Sequence, residues 1–468
     1  MSDDYRTEAD SLGEMQVPAD AYWGAQTQRA VENFPISGIT FSRRFIRALG
    51  IVKKSAALAN NDLGLVDDEK ADAIVAAADE VIAGDHDGEF PVDVFQTGSG
   101  TSSNMNANEV IANRAAEILG EGIGDRIVHP NDHVNYGQSS NDVIPTAMHV
   151  AALKAADKDV LPALETLAAE LAAKESEFDD VVKTGRTHLQ DATPVRLGQE
   201  FGGYRTQIEK GIARVESTRD HLAELALGGT AVGTGLNTHP EFPERAAEYI
   251  ADETGLPFRE TDDHFEAQAA HDAMAEAHGA LAVVAGSMNK IANDLRLLAS
   301  GPRNGFGELD QPENQPGSSI MPGKINPVVA EAVNQVHKQV VGNDAAVSAG
   351  AAEGQVDLNL YKPVLAHNYL ESAEMLANAA ETFGERFVAK LAADEDHMSE
   401  RVEQSMALAT ALNPAIGYDK ASKVAKQALA EDKTIREVVL DEGYLTEAEA
   451  DDVLDPEAMT HRVILGQD

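Results

Sequence analysis

The apolar positions of the chain fall mostly at three- and four-residue steps, the spacing of one face of an α-helix. Leu281, Val284, Met288, Ile291, Leu295 and Leu298 form one such stripe, and Val329, Val333, Val336 and Val340 form another. A third passes through Val150, Leu153, Val160, Leu164, Leu167 and Leu171, in Ala-rich sequence flanked by Asp, Glu and Lys. Pro162 should kink that helix or end its first segment, because it lacks an N–H and clashes with the preceding turn. Stripes of this length are expected to bury one another in a bundle, so they read as core. Alternating β patterns are scarce. Val181-Val182 and Ile127-Val128 are at most short strands. The expected fold class is mainly α. Gly/Asn/Ser-rich ground between Asn135 and Asn141 separates a mixed N-terminal third from the long helices. Near Ala393-Asp394-Glu395-Asp396 the pattern changes into short helices with turns at Asn413-Pro414 and Gly443.

Polar, Gly-rich segments interrupt these stripes. The densest is Gly317-Ser318-Ser319-Ile320-Met321-Pro322-Gly323-Lys324-Ile325-Asn326-Pro327. Gly and Pro mark it as a loop. It offers two hydroxyls, backbone N–H groups and a Lys–Asn pair, a set suited to proton abstraction beside an anion. A nucleotide-phosphate loop needs four residues between its glycines and Ser or Thr after the Lys. Here five residues separate Gly317 from Gly323 and Ile325 follows Lys324, so that reading fails. Thr97-Gly98-Ser99-Gly100-Thr101 leads into a helical stretch whose free N–H groups favour an anion. Gly137-Gln138-Ser139-Ser140-Asn141-Asp142 precedes another, where N-capping and ligand contact are compatible roles. Thr184-Gly185-Arg186-Thr187-His188-Leu189-Gln190-Asp191-Ala192-Thr193-Pro194 places a His among hydroxyl and amide side chains. In Arg126-Ile127-Val128-His129-Pro130-Asn131-Asp132, His129 and His133 are four apart, a metal-ligand spacing on a helix. Pro130 argues against a regular helix there, and no third ligand is evident. Leu227-Gly228-Gly229-Thr230-Ala231-Val232-Gly233-Thr234-Gly235 follows a helical segment rather than a strand, so it lacks the context of a dinucleotide loop.

Charge and composition narrow the partners. The 468 residues include 79 acidic and 37 basic side chains, for a formal net charge of −42. That excess argues against nucleic acid or an anionic membrane surface as a partner. It also exceeds what solubility requires, and strong salt screening would relieve the self-repulsion, so a salt-rich cytoplasm is the expected setting. Cysteine is absent, which removes disulfides, thiolate metal sites and cysteine nucleophiles. Met1-Ser2-Asp3-Asp4-Tyr5 lacks the apolar segment of a signal peptide, and apolar runs such as 280–285 are too short to cross a bilayer. A soluble cytoplasmic protein is expected.

The loop from Gly317 to Pro327 closely resembles the mobile active-site loop of the fumarase/aspartase superfamily, whose pattern reads GSSxMPxKxNP. The other polar segments match as well, and the likeness extends from Gly13-Glu14 and 23–28 to 417–420 and Pro456-Glu457. His188, Ser140, Gly323 and the tail Asn237-Thr238-His239-Pro240 resemble the class II fumarase branch. Aspartases tend to carry Gln, Thr and Ala at the first three of these positions. Argininosuccinate and adenylosuccinate lyases fit the flanking motifs less well. The resemblance implies three domains, here 1–138, 139–393 and 394–468, with a central long-helix bundle forming the core of a homotetramer whose active sites are shared between subunits. It implies reversible elimination of water from (S)-malate, with no cofactor and no metal. Ser318 is implied as the base, with Lys324 stabilising charge and His188, held by Glu331, assisting the leaving hydroxyl. Ser99, Gly100, Thr101, Ser139, Ser140, Asn141, Thr187, Ser319 and Asn326 are implied to bind substrate. Arg126, His129, Asn131 and Asp132 are implied to form a second dicarboxylate site. Aspartate ammonia-lyase and a non-catalytic helical scaffold are the alternatives.

Overall fold

A computed structural model describes residues 4–465, so Met1 to Asp3 of the acidic N-terminal stretch lie outside it. Helices dominate the described residues, and the strands form four two-stranded pairs. Long helices include Leu161–Glu177, Leu197–Ser217, Asp272–Leu298, Val328–Ala351 and Lys362–Arg386. The stripe from Leu281 to Leu298 is buried throughout, as are Val329, Val333 and Val340; Val336 is half-buried. The stripe around Pro162 is equally buried, and the break expected there takes a specific form. The helix Ser140–Ala155 passes into a π-turn over Ala156–Val160 before Leu161–Glu177 begins. Pro162 thus follows directly on a wider turn inside one continuous helical run, with the Leu161 N–H bonded to Ala156 O just ahead of it.

The chain divides into two compact units. The first comprises Met1–Pro162, Ile212–Ala285 and His337–Ala377. At its centre, the helix Arg43–Asp62 packs against Asp68–Ala83, Ser140–Ala155 and Phe242–Thr254. Phe45, Leu49, Val52, Ala56 and Ala59 lie on its buried face at helical spacing. Burial of each large side chain there contributes about 1.5–3 kcal/mol. Two features of this unit depart from expectation. The segment Tyr5–Asp10 pairs with Gly13–Pro18 as a hairpin that the strand patterns did not reveal, and Ile127-Val128 lies in a turn. The Gly-rich segment 227–235 does follow a strand, but only the two residues Glu224–Leu225, and no helix begins until Phe242.

The second unit comprises Ala163–Gly211, Gly286–Val336 and Asn378–Asp468. Its C-terminal helices bury Leu408, Leu412, Val424, Ile435, Val438 and Val453 in a cluster with Val182 packed against it. Capping boxes at Thr434/Glu437 and Thr446/Glu449 start two of these short helices, satisfying backbone donors that the brief helices leave open. Val182 opens a strand that runs to Thr187 and pairs with Gln190–Arg196. No helix among the described residues is long and apolar enough to cross a membrane.

Candidate active site

In the first unit, Gly100 caps the helix Thr101–Ile118 with φ of 77°, and a Cβ there would meet the Ile144 side chain at 2.8 Å. Glycine is therefore required, and the helix N-terminus stays open for an anion. Ser99 Oγ and Thr101 Oγ1 share a 2.8 Å hydrogen bond beside it. From the same helix, Asn104 Nδ2 donates to Ser140 Oγ at 3.0 Å, so the 99–101 and 139–141 segments are joined. Ser139 caps the helix Ser140–Ala155 through a full capping box with Asp142. Asn141 is aimed by its amide, which donates to Ala231 O at 2.8 Å.

In the second unit, Thr187 and Gln190 pair across a two-residue hairpin turn made of His188 and Leu189. Both turn residues have positive φ, 56° and 59°. Such turns favour Asn-Gly, so two side-chain-bearing residues there store strain that puts an exposed imidazole at the tip. Below it, Lys183 and Glu308 are each only 1 % exposed and 3.2 Å apart. Arg186 reaches the other oxygen of Glu308 at 2.8 Å and stacks on Phe306. Lys183 also bonds Glu200 at 3.1 Å, a carboxyl whose pKa burial pushes up. Sequence reasoning missed Glu308, a single acid between Gly307 and Leu309 with no motif of its own. Glu308→Ala would leave Lys183 and Arg186 without their shared anion. It should cost about 3–5 kcal/mol in chemical denaturation. A loss below about 1 kcal/mol would show that this ion cluster does not hold the hairpin.

The loop 317–327 closes on itself. A Cβ on Gly317 would lie 1.9 Å from Lys324 O, so only glycine permits that approach. Asn326 Nδ2 donates to Gly317 O across the same neck. Ser318 Oγ accepts the backbone N–H groups of Ile320 at 3.2 Å and Met321 at 3.0 Å. Two donors converging on a hydroxyl oxygen are what an alkoxide needs. Ser319 and Lys324 are exposed, and Glu331 is half-buried in the first turn of Val328–Ala351. Among the described residues, neither a hydrogen bond nor an ion pair links His188 to Glu331.

The four residues expected to form a second dicarboxylate site lie near one another in the first unit. Arg126, His129 and Asn131 line a cavity of about 760 Å³ with Glu8 and Asp10, which are themselves paired to Arg6 and Arg29. Arg126 Nη2 donates to Ala9 O at 2.6 Å. Asp132 is 77 % exposed and lies 3.4 Å from His129 Nδ1. Pro130–Val134 forms a π-turn, and His133 Nδ1 accepts the His129 N–H at 2.8 Å, which removes the helical metal-site geometry.

Comparison with known proteins identifies the family. Residues 13–342 match the Lyase family, and residues 408–461 match the Fumarase C C-terminus family. A class II fumarate hydratase of Halobacterium salinarum is 81 % identical over 468 residues, covering the whole of both chains. One of Nitrosomonas europaea is 55 % identical over 459 residues, 98 % of this chain and 99 % of that one. The crystal structure of recombinant class II fumarase from Schistosoma mansoni superposes with a TM-score of 0.95 at 39 % identity, covering 98 % of this chain and 99 % of the other. The chain belongs to the fumarase/aspartase superfamily and, within it, to the class II fumarate hydratase family.

Proposed function

We propose that the chain catalyses the reversible hydration of fumarate to (S)-malate in the tricarboxylic acid cycle, as a cytoplasmic homotetramer with active sites shared between subunits. The domain division at 138/139 and 393/394 is part of the same proposal. The observation that carries the chemistry is the Ser318 hydroxyl, whose oxygen already accepts two backbone N–H groups.

In the dehydration direction, a base removes the C3 proton of malate, and charge spreads into the adjacent carboxylate. Stabilising that aci-carboxylate is the largest electrostatic task. Ser318 takes the proton, its alkoxide held by the Ile320 and Met321 amides. Lys324 and Asn326 face the growing negative charge from the same loop. His188, oriented by Glu331 of a neighbouring subunit, helps the C2 hydroxyl leave as water. Thr187 and Ser319 hold substrate beside these two groups. Ser99, Gly100, Thr101, Ser139, Ser140 and Asn141 bind the carboxylates through hydroxyls and open N–H groups. Arg126, His129, Asn131 and Asp132 bind a second dicarboxylate.

His188→Gln should lower malate turnover by about 10²-fold or more, since general acid–base groups supply that much. The exposed hairpin tip makes the loss of stability small. Unchanged turnover would remove His188 from the reaction. Mixing unfolded His188→Gln and Ser318→Ala chains and refolding them together tests the shared site. Recovered activity is expected, because some mixed tetramers then contain one intact site. No recovery, with mixed tetramers demonstrated, would place both residues on the same chain.

A further inference from the structure

Lys53 and Lys362 are fully buried, and neither has a carboxylate within ion-pair distance among the described residues. This is unexpected in a chain whose acidic side chains outnumber its basic ones by 79 to 37. Both donate instead to one short segment. Lys53 Nζ reaches Asn135 Oδ1 at 3.0 Å and Gln138 Oε1 at 2.9 Å. Lys362 Nζ reaches the backbone carbonyl of Asn141 at 3.1 Å. The nearby carboxylate, Asp142, is also fully buried but is occupied by backbone donors. Its Oδ1 accepts from Ser139 N at 2.8 Å, and its Oδ2 from Gly228 N and Thr230 N at 3.0 and 2.9 Å. Asn135 Oδ1 takes two further donors, Asn104 Nδ2 and Asn108 Nδ2, so the segment is tied from several sides.

A buried ammonium without a contacting anion costs several kcal/mol, which an apolar or amide side chain of similar length would avoid. Two such groups behind one loop call for a benefit that uses their charge. The loop they hold presents Ser139, Ser140 and Asn141, and the proposed ligand is a dianion approaching a chain of net charge −42. Surface cations serve poorly in concentrated salt, where the screening length falls to about 3 Å. Charges buried in protein escape most of that screening.

We propose that Lys53 and Lys362 are positioning residues for the dicarboxylate: their ammonium groups fix the Gln138–Asn141 segment and maintain a positive potential behind its hydroxyl and amide donors. This rests on the dicarboxylate reading of the site. Burial lowers the pKa of each lysine to about 7, opposed by the charge of Asp142. Asp142 is raised to about 6 by burial, against its backbone donors and Lys53. The other titratable neighbour of Lys362, His271, is kept neutral by burial and by that lysine's charge. Without ligand the lysines are therefore charged below about pH 7 and lose their protons above it. A bound dianion favours the charged form, so binding at pH 8 should take up protons.

Lys53→Met and Lys362→Met, assayed with malate and fumarate in concentrated potassium chloride, should each raise KM about tenfold or more while kcat changes far less. Calorimetry of succinate binding at pH 8, in two buffers of different ionisation enthalpy, should reveal proton uptake by the wild-type protein that the variants lose. KM values within about twofold of wild type in both folded variants would overturn the assignment. So would succinate binding to the wild type without proton uptake, a result that remains decisive even where a variant fails to fold. Wild-type turnover of malate separates the two levels of inference. With it present and the variants unaffected, only the lysine assignment fails; with it absent, the dicarboxylate reading fails first.

Discussion

Ser318→Ala should reduce malate turnover by about 10³–10⁴-fold while the protein keeps its fold and assembly. The expectation follows from what surrounds the oxygen. A serine hydroxyl is too weakly acidic to act as a base unless its alkoxide is stabilised. Here the N–H groups of Ile320 and Met321 point at that oxygen from the tight loop closed by Gly317 and Lys324. Removing the hydroxyl deletes the proton acceptor and leaves those amides to water. Ile320 and Met321 are exposed, so the structural cost should stay near 1 kcal/mol. Circular dichroism and sedimentation should match the wild type. Near-normal turnover would take the base role away from Ser318.

Transfer from multimolar potassium chloride to dilute buffer should unfold or dissociate the protein, with loss of the helical signal and of activity. The carboxylates outnumber the cations so far that single cations are shared. Arg44 lies between Asp159 and Glu374, Lys54 between Asp79 and Glu253, and Arg205 between Glu175 and Glu209. Lys433 similarly contacts Glu431 and Asp441. Exposed pairs of this kind contribute little individually and cannot neutralise a charge of −42. In dilute buffer of about 0.01 M the screening length grows to about 30 Å, and repulsion then acts across most of the molecule. Full retention of structure and activity would contradict this account.

The long helices were legible because their stripes repeat over many turns, and one apolar face must be buried wherever they pack. Pro162 was legible for a similar reason, since its backbone restriction is local. Of the hairpin bearing His188, only the short strand start at Val181-Val182 was. Its strands carry Lys, Thr and Arg rather than alternating apolar residues, and its turn uses His-Leu where Asn-Gly would signal a hairpin. The N-terminal hairpin is likewise polar, with no fully buried residue on its first strand. Candidate residues within the loops could be named through the likeness of their motifs to the superfamily's, as hydroxyls, an imidazole and an ammonium set beside glycines. Their supports could not. Glu308 acquires meaning only when Lys183 and Arg186 arrive from a distant hairpin. Lys53, next to Lys54 in sequence, looks like half of a solvated pair until the fold buries it and leaves Lys54 near the surface with Asp79 and Glu253.

The most direct test of the central claim is fumarate absorbance in the ultraviolet, recorded with purified protein in concentrated potassium chloride. Separate reactions would contain malate, aspartate and argininosuccinate. Fumarate should form from malate alone. Fumarate from aspartate, or none from any of the three with folded protein, would contradict the assignment.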